Sequence, residues 1–474
     1  MKVLQTLLHN LSPNKAITGF MGNSLITLDL LACSFLGGKV KFMNIQDFER
    51  KEFERQNNTL NFIASENYPS EEILEANGSI FVAKYAEGFP KDENGKGGRY
   101  YQGVKVVDEL ENACMEECLK TFKATEGYKC NVQMTSGCMA NMTVYHALLQ
   151  AGDVVLGPDT ASLGHISHGI KGSFLDRYFT VKKYGLGEGD VLDYDDIERI
   201  AVECQPKLII CGASNYSQII DFERFKQIAD KVGAILMADV SHIAGLIVTG
   251  FHPSPVGYAD VITSTLHKTL KGVRGAIIIY REELDKKMKY STIPGLWGGS
   301  HLNNTLAKYQ TFKEAQTPEF QEYISNVVKA TKVMADMFLS HGIPIVSNGT
   351  ENHVFCLNLS DFPIDGKTLA ETLESVQIIA NANAIPNDTS FIRPHGLRLG
   401  CAPAIARGLT VDDCYTIAQG IACYLVALRD GNNREADSLL SVLNDFVKEC
   451  IKEHPLSYLY PKTYTRLYYS LCVS

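Results

Sequence analysis

The chain has 474 residues, of which 45% are hydrophobic and 21% are charged, with 38 Gly and 16 Pro. This composition is typical of a folded globular protein and excludes disordered, collagen-like and coiled-coil chains. The length exceeds what one hydrophobic core usually supports, so we expect a large domain and a second unit. The formal net charge is −9 and the sequence has no Lys/Arg-rich stripe. These features argue against a nucleic-acid or membrane partner and favour an enzyme that acts on small molecules.

The first 42 residues differ in character from the rest of the chain. Their apolar stretch, residues 24–37, is too short to span a membrane and contains Asp29. We interpret residues 1–42 as an extension that is disordered or absent from the mature protein. A charged amphipathic helix follows Met43, as expected at the start of a folded domain. The 13 cysteines are irregularly spaced and form no CxxC pair. They predict reduced thiols and a cytoplasmic location.

Short β-rich runs alternate with helix-like segments from about residue 153 to residue 281. The runs are DVVLG, FTVKKYG, KLIICGAS, AILMADVSH, DVITST and GAIIIYR. Some of these runs are separated by two segments, residues 194–204 and 221–232, in which apolar residues recur at helical spacing. This pattern predicts an α/β fold with a mostly parallel sheet covered by helices. A long amphipathic stretch over about 305–340 then leads into a smaller α+β C-terminal portion.

One lysine is a candidate Schiff-base nucleophile. Lys268 follows a predicted strand in the run TSTLHKTLKGVRG. An ammonium becomes a useful amine when burial or a neighbouring cation lowers its pKa, and the end of a strand in a parallel sheet can supply both. A solvated loop lysine is the alternative if Lys268 is considered alone.

Two further segments make the lysine more informative. Asp239 ends the strand AILMADVSH, and an acid at that position can hold the nitrogen of a pyridine ring protonated. It can equally cap the next segment. The turn Ser136-Gly137-Cys138 opens a predicted helix, whose free N–H groups suit a phosphate. A phosphate seat, an acid and a lysine in this order indicate a cofactor site.

Two other motifs carry candidate groups. His165 and His168 lie three residues apart, but without a third ligand they give no metal site. A ring stacked over a planar cofactor is the alternative role for His165, and we interpret His168 as structural. Arg398, in HGLRLG, can hold a substrate carboxylate with both arms of its guanidinium, or it is a surface arginine in a hairpin.

On the basis of these residues, the sequence resembles the serine hydroxymethyltransferases, which are pyridoxal-phosphate enzymes of the aspartate-aminotransferase fold type (fold type I). The resemblance runs from about Met43 to the C-terminus. It rests on the ordered motifs IASENYPS, KYAEGFP, RYYQG, SGCMAN, GHISHG, ADVSHIAGL, STLHKTLKGVRG, PGLWGG and HGLRLG. It implies reversible transfer of the serine hydroxymethyl carbon to tetrahydrofolate, giving glycine and 5,10-methylenetetrahydrofolate. It also implies a homodimer or a dimer of dimers.

The resemblance implies roles for individual residues. Lys268 is the Schiff-base lysine, Asp239 pairs with the ring nitrogen, His165 stacks on the ring and His242 lies near its oxygen. The remaining cofactor contacts are Ser136, Gly137, Cys138, Ser214 and Thr265, with Gly298 and Gly299 from the partner subunit. The amino-acid substrate meets Ser65, Tyr101 and Arg398. Glu87 matches the family's acid/base glutamate, Tyr85 beside it reaches across the dimer interface, and Asn383 belongs to the pterin-contacting segment.

The resemblance further divides the chain at predicted boundaries. Residues 43–90 contribute to the dimer interface and the active site. Residues 91–325 form the large cofactor-binding domain, and residues 326–474 form the small C-terminal domain.

Several positions depart from the family pattern, mostly on the folate side. Lys91 to Gly98 form an insert beside Glu87, which we interpret as a surface loop or as a change to the mouth of the folate site. Leu163 replaces the first glycine of a pair, and we expect its side chain to obstruct the pterin. Ala382 removes a cation. Three further replacements are Ile293, Leu266 and Val273.

These departures leave two alternatives open. One is an aldolase, transaldolase or hydroxymethyltransferase on the same scaffold that acts on another small amino acid, with folate optional. The other is a catalytically silent homologue with a structural or regulatory role. Retention of Lys268, Asp239, Glu87 and Arg398 argues against the silent homologue.

Overall fold

The structure is a computed structural model that describes residues 44–91, 98–160, 163–386, 388 and 392–468. The predicted extension over residues 1–42 and the tip of the insert, residues 92–97, lie outside the described residues. The chain divides after Glu52 into two compact units, Met1–Glu52 and Phe53–Ser474. Of the first unit the structure describes only the part from residue 44, where the predicted charged helix begins. Every complete element apart from that first helix belongs to the second unit.

The helices and strands follow in chain order. The helices are α1 (Ile45–Asn57), α2 (Glu71–Asn77), α3 (Lys105–Thr121), α4 (Gly137–Leu148), α5 (Phe174–Tyr178), α6 (Tyr194–Cys204), α7 (Phe222–Val232), α8 (Ala244–Thr249), α9 (Asp285–Tyr290), α10 (Leu302–Glu314), α11 (Pro318–Ser340), α12 (Gly366–Ser375), α13 (Ala402–Arg407), α14 (Val411–Arg429), α15 (Asn433–Glu453), α16 (Leu456–Leu459) and α17 (Pro461–Tyr468). The strands are β1 (Leu60–Asn61), β2 (Gly88–Phe89), β3 (Gly98–Arg99), β4 (Tyr128–Asn131), β5 (Val154–Pro158), β6 (Thr180–Tyr184), β7 (Leu208–Cys211), β8 (Ile235–Asp239), β9 (Val261–Thr265), β10 (Ala276–Arg281), β11 (Phe355–Asn358), β12 (Ile378–Ile379), β13 (Asn381–Asn383) and β14 (Gly396–Leu399).

A seven-stranded sheet in the order β4-β10-β9-β8-β7-β5-β6 forms the centre of the larger part of this unit. Strands β5 to β9 pair in parallel, and β10 runs antiparallel to both of its neighbours. All residues of β7 and β9 are buried, as in a sheet covered on both faces. The predicted α/β class and the mostly parallel sheet are confirmed.

The helices that cover the sheet follow the sequence signals. Helix α7 begins after Asp221, whose carboxylate accepts a hydrogen bond from the backbone of Arg224 at 2.9 Å. It ends at Gly233 in the left-handed conformation, which favours glycine. Between these caps Phe225 and Ile228 are fully buried against the sheet. Each such side chain contributes about 1.5–3 kcal/mol of burial free energy.

A second hydrophobic core lies in the C-terminal part. It joins the three-stranded antiparallel sheet β11-β14-β13 to helices α11, α14 and α15. Helix α11 serves both cores, because Phe320 to Val327 pack in the first and Ala330 to Phe338 in the second. The predicted domain boundary at 325/326 falls inside this helix, and the boundaries at 90/91 and 325/326 stay predictions.

The amphipathic stretch predicted over 305–340 is two helices. The break falls before Pro318, which cannot continue a preceding helix, and Thr317 caps the new one by accepting from the backbone of Phe320 at 3.2 Å. Of the helices described, none combines the length and the apolar character needed to cross a bilayer.

Candidate active site

A cavity of about 600 Å³ opens at the carboxyl ends of the parallel strands. Ligands of open α/β sheets bind at this edge. The cavity brings together many of the residues predicted from the sequence. They are Ser65, Ser136, Gly137, Cys138, His165, Ser214, Asp239, His242, Thr265, Lys268, Asn383 and Arg398.

Lys268 lies in the floor of the cavity and is only 8% exposed. The side-chain amide of Asn67 donates to its carbonyl oxygen at 2.7 Å and to the Tyr323 hydroxyl at 2.7 Å, which fixes the backbone of the lysine. Burial lowers the pKa of Lys268 to about 8, and the nearby Arg398 cation adds to the effect. A substantial fraction of its amine is therefore neutral and nucleophilic near neutral pH.

Asp239 ends strand β8 and receives several donors. The ring of His168 donates from Nε2 at 3.0 Å, the amide of Asn141 at 2.9 Å and the hydroxyl of Ser241 at 2.6 Å. Burial acts to raise the pKa of Asp239, but these hydrogen bonds outweigh it and hold the pKa well below its ordinary value. Asp239 is thus a fixed anion in the cavity.

The hydrogen bonds of the two histidines determine their tautomers. Nδ1 of His168 accepts from the backbone N–H of His165 at 3.1 Å, so Nε2 carries the proton that is donated to Asp239. Nδ1 of His165 accepts from the backbone N–H of Ser167 at 3.2 Å. Burial lowers the pKa of His165 to about 4. His165 therefore presents a neutral ring to the cavity.

The turn before helix α4 forms an anion seat. The Ser136 hydroxyl accepts from the backbone of Met139 at 3.2 Å, which leaves the N–H groups of Gly137 and Cys138 at the free end of the helix. A Cβ at position 137 would lie 2.8 Å from Cγ2 of Thr265, so only glycine fits this close approach.

Arg398 lies on β14 and is 8% exposed. Its guanidinium donates to the Ser214 carbonyl at 2.9 Å and to the Asn381 side chain at 3.3 Å. Because a guanidinium has five N–H groups, it keeps donors for a carboxylate that enters the cavity.

The remaining predicted residues lie outside this cavity in a second cluster. The Tyr85 hydroxyl lies 3.1 Å from a Glu87 carboxylate oxygen and 3.3 Å from the backbone nitrogen of Gly299. A Cβ at Gly298 would lie 3.2 Å from the same Glu87 oxygen. The ring of Tyr101 packs on Tyr85 with centroids 5.0 Å apart. Within one chain, Glu87 therefore does not line the cavity that contains Lys268.

The sequence did not indicate several supporting residues. Asn141 and Ser241 hold Asp239, Asn67 holds Lys268, and His353 contacts His242 with ring nitrogens 3.3 Å apart. Asn67 was within reach of prediction, because it lies in the IASENYPS motif beside Ser65.

Two of the departures have clear positions in the structure. Leu163 is 1% exposed and packs in the first hydrophobic core, so the expectation that its side chain obstructs the pterin is wrong. Its backbone carbonyl instead accepts from the N–H of Ser214 at 2.9 Å. Ala382 does line the cavity, beside Asn383.

Comparison with known proteins identifies the family of this chain. A sequence model of the family described as serine hydroxymethyltransferase matches residues 40–421. The probable serine hydroxymethyltransferase of Mesomycoplasma hyopneumoniae strain 232 is 45% identical over 384 residues, which cover 80% of this chain and 90% of that protein. The serine hydroxymethyltransferase of Coprothermobacter proteolyticus is 42% identical over 403 residues, 85% of this chain and 95% of that protein. The chain therefore belongs to the serine hydroxymethyltransferase family.

Proposed function

We propose that this protein transfers the hydroxymethyl carbon of serine to tetrahydrofolate, giving glycine and 5,10-methylenetetrahydrofolate, with pyridoxal 5'-phosphate as cofactor. The single observation that carries the proposal is the joint placement of Lys268, Asp239 and Arg398 around one cavity. These groups match the aldehyde of the cofactor, its ring nitrogen and the carboxylate of an amino acid, respectively.

The donor set fits pyridoxal phosphate. The fixed anion of Asp239 suits a protonated ring nitrogen, the N–H groups of Gly137 and Cys138 suit the phosphate, and the neutral ring of His165 suits the ring face. Ser214, Thr265 and His242 complete the lining. We assign Gly298 and Gly299 of a second copy to the same site, because they lie beside Tyr85 and Glu87 in the second cluster. When bound, the cofactor supplies an aldehyde for covalent attachment and a ring that accepts electrons from the bond that breaks.

The chain's own residues bind the amino acid and move its protons. Arg398 and Ser65 hold the carboxylate of the substrate, together with Tyr101. The carboxyl group of Glu87 gives a proton to, or takes one from, the hydroxyl oxygen of serine. Tyr85 donates a hydrogen bond to Glu87 and fixes its orientation. Lys268 holds or releases the proton at the amino nitrogen, because its pKa lies near 8.

This assignment requires a homodimer. Glu87, Tyr85 and Tyr101 do not line the cavity of their own chain, so a second copy must bring its cluster to that cavity. The cluster is accessible for this purpose, since Tyr85 is 49% exposed and Tyr101 41% exposed. Ile80 and Val82 beside it are exposed as well and supply apolar area for the contact. A dimer of dimers is compatible with the same contact.

The folate side supports tetrahydrofolate as the second substrate. Leu163 points into the core, so the segment before His165 presents Gly164 to the cavity without a bulky side chain. Asn383 keeps an amide at the predicted pterin segment. Ala382 beside it provides no cation, and this observation favours, as a second candidate, an aldolase of the same scaffold for which folate is optional. A cytoplasmic location fits the free cysteines of the described residues.

The visible absorption of the purified protein with glycine, before and after addition of tetrahydrofolate, tests the proposal. A long-wavelength band that strengthens with folate supports it. A glycine response that ignores folate favours the aldolase, and the absence of any cofactor absorption refutes both.

Two variants add to this test. Lys268→Ala should abolish turnover while the protein stays folded, because it removes the covalent attachment. Glu87→Gln should keep the cofactor absorption and lose folate-dependent serine cleavage. Full turnover in Glu87→Gln would show that another group transfers the proton.

A further inference from the structure

A buried polar network lies behind Glu87 and contacts neither the cavity nor the Glu87 carboxylate. The guanidinium of Arg99 donates to the carbonyl oxygen of Gly88 at 2.7 Å, to Asp108 at 2.9 Å and to Glu111 at 3.0 Å. The side-chain amide of Gln133 donates to the same Gly88 oxygen at 3.0 Å and to Glu111 at 2.8 Å. Two side chains from different parts of the chain thus converge on one backbone carbonyl.

As a purely structural element this network would add little to the free energy of unfolding, because it buries charged and polar groups. The side chains of Arg99 and Glu111 are each 1% exposed, and Gln133 is 2% exposed. Oε1 of Gln133 is buried and has no hydrogen-bond partner among the described residues. Buried ion pairs contribute little net stability, and an orphaned amide oxygen costs free energy. In this orientation the amide oxygen is unpaired, whereas both N–H groups of the amide reach acceptors, one of which is the Gly88 carbonyl.

The carbonyl that these donors hold belongs to Gly88, the residue that follows Glu87 in the chain. Gly88 has φ +99, and a Cβ there would lie 2.4 Å from the carbonyl oxygen of Gly98 on the paired strand. The backbone N–H of Tyr100 donates to the carbonyl of Glu87 at 3.1 Å. The first peptide group after Glu87 is therefore held at its carbonyl by Tyr100, and the second is held at the Gly88 carbonyl by Arg99 and Gln133. These hydrogen bonds restrain the backbone from which the Glu87 side chain extends.

We propose that Gln133 and Arg99 are positioning residues for Glu87, and that their hydrogen bonds to the Gly88 carbonyl set the place of the Glu87 carboxyl group in the completed site. This inference rests on the proposed function, in which Glu87 transfers the proton of the serine hydroxyl. It assigns to the network an effect on the rate of proton transfer and no part in binding the cofactor.

A double-mutant cycle tests the inference. Gln133→Met removes both N–H donors at nearly constant volume, and it is made in the native chain and in the Glu87→Gln chain. If Gln133 acts through Glu87, Gln133→Met should lower kcat for folate-dependent serine cleavage about tenfold or more in the native chain. The reason is that a small displacement of a catalytic group lowers the reaction rate strongly. In the Glu87→Gln chain the same change should lower the residual rate by less than about twofold, because the effects of two substitutions that act through one group are not additive.

A matched control separates positioning from general damage. Thr121→Val, at the far end of the same helix as Glu111, also removes a buried side-chain donor, whose oxygen lies 2.7 Å from the Glu117 carbonyl. It should leave kcat unchanged in both backgrounds. A second readout needs no cofactor: amide hydrogen exchange of the peptide that contains Tyr100 should quicken in Gln133→Met and not in Thr121→Val.

The outcomes are distinguishable. An equal loss of kcat in both backgrounds, or an unchanged kcat in the native chain, overturns the inference and leaves the proposed function standing. Full activity of Glu87→Gln alone overturns the proposed role of Glu87 instead. If Gln133→Met does not fold, Arg99→Lys replaces it in the cycle. That variant keeps the positive charge and loses the planar fork that reaches Gly88 and both carboxylates at once.

Discussion

The pKa of Lys268 gives a prediction whose size follows from the structure. Burial and the Arg398 cation lower it from an ordinary value of 10.5 to about 8. At pH 8 half of the amine is then neutral, whereas at the ordinary pKa roughly 1 molecule in 300 would be. We therefore expect the neutral fraction of Lys268 at pH 8 to be about 150-fold that of a lysine with the ordinary pKa.

Competitive labelling with acetic anhydride between pH 6 and pH 11 measures this directly, with the labelled Lys268 peptide quantified by mass spectrometry. The exposed Lys120 in the same sample corrects for the concentration of the reagent. The midpoint for Lys268 should lie near pH 8. A midpoint near the ordinary value of 10.5 would refute the reasoning, because burial would then not disfavour the ammonium.

Two variants should move that midpoint in opposite directions. Asp239 is an anion that raises the pKa of Lys268, so Asp239→Asn should lower the midpoint. Arg398 is a cation that lowers the pKa, so Arg398→Met should raise the midpoint. Shifts in the same direction would show that changes in burial, and not charge, dominate.

The remaining predictions concern stability and the folate side. Lys308 is 1% exposed and donates to the carbonyls of Val132, Met134 and Ala276. Lys308→Met should therefore lower the free energy of unfolding, measured in urea, by about 3 kcal/mol. A change below about 0.5 kcal/mol would contradict this prediction. Leu163→Ala should cost about 3 kcal/mol of stability through the cavity it creates. It should leave KM for tetrahydrofolate unchanged, and a lower KM would mean that the side chain obstructs the pterin after all. Replacing residues 92–97 by Asn-Gly, so that four residues connect the paired Phe89 and Gly98, should keep kcat within about twofold, because loop length has a small energetic cost and Gly88 is held independently. A larger loss would assign the insert a part in the site.

The sequence predicted the fold well where burial dominates. Strands β5 and β7 to β10 are largely buried, so each appears as a short apolar run bounded by turn residues. The edge strand β6 is mostly exposed and carries two lysines, and its signal is the β-rich run alone. All six were predicted near their observed places. The break before Pro318 was missed, because amphipathic spacing continues on both sides of it. Two-residue strands such as β1 and β12 could not be predicted, since their pairing depends on tertiary contacts between distant segments.

The site was predictable where one residue carries the chemistry. Lys268 and Asp239 stand at strand ends, and that position alone places them at the same edge of the sheet. The donors that hold Asp239 were not predictable in this way, because Asn141 lies 98 residues away in the chain and meets it only through folding. The direction of Leu163 was predicted wrongly, since periodicity specifies no side-chain direction in an irregular segment.

The separation of Glu87 from Lys268 within one chain has a genetic consequence. On the proposed dimer each site takes Lys268 from one chain and Glu87 from the other. When a Lys268→Ala chain pairs with a Glu87→Gln chain, one site of the heterodimer carries both lesions and the other carries neither. Two alleles that are each inactive would then restore activity when expressed together, whereas two alleles affected in the same cluster would not.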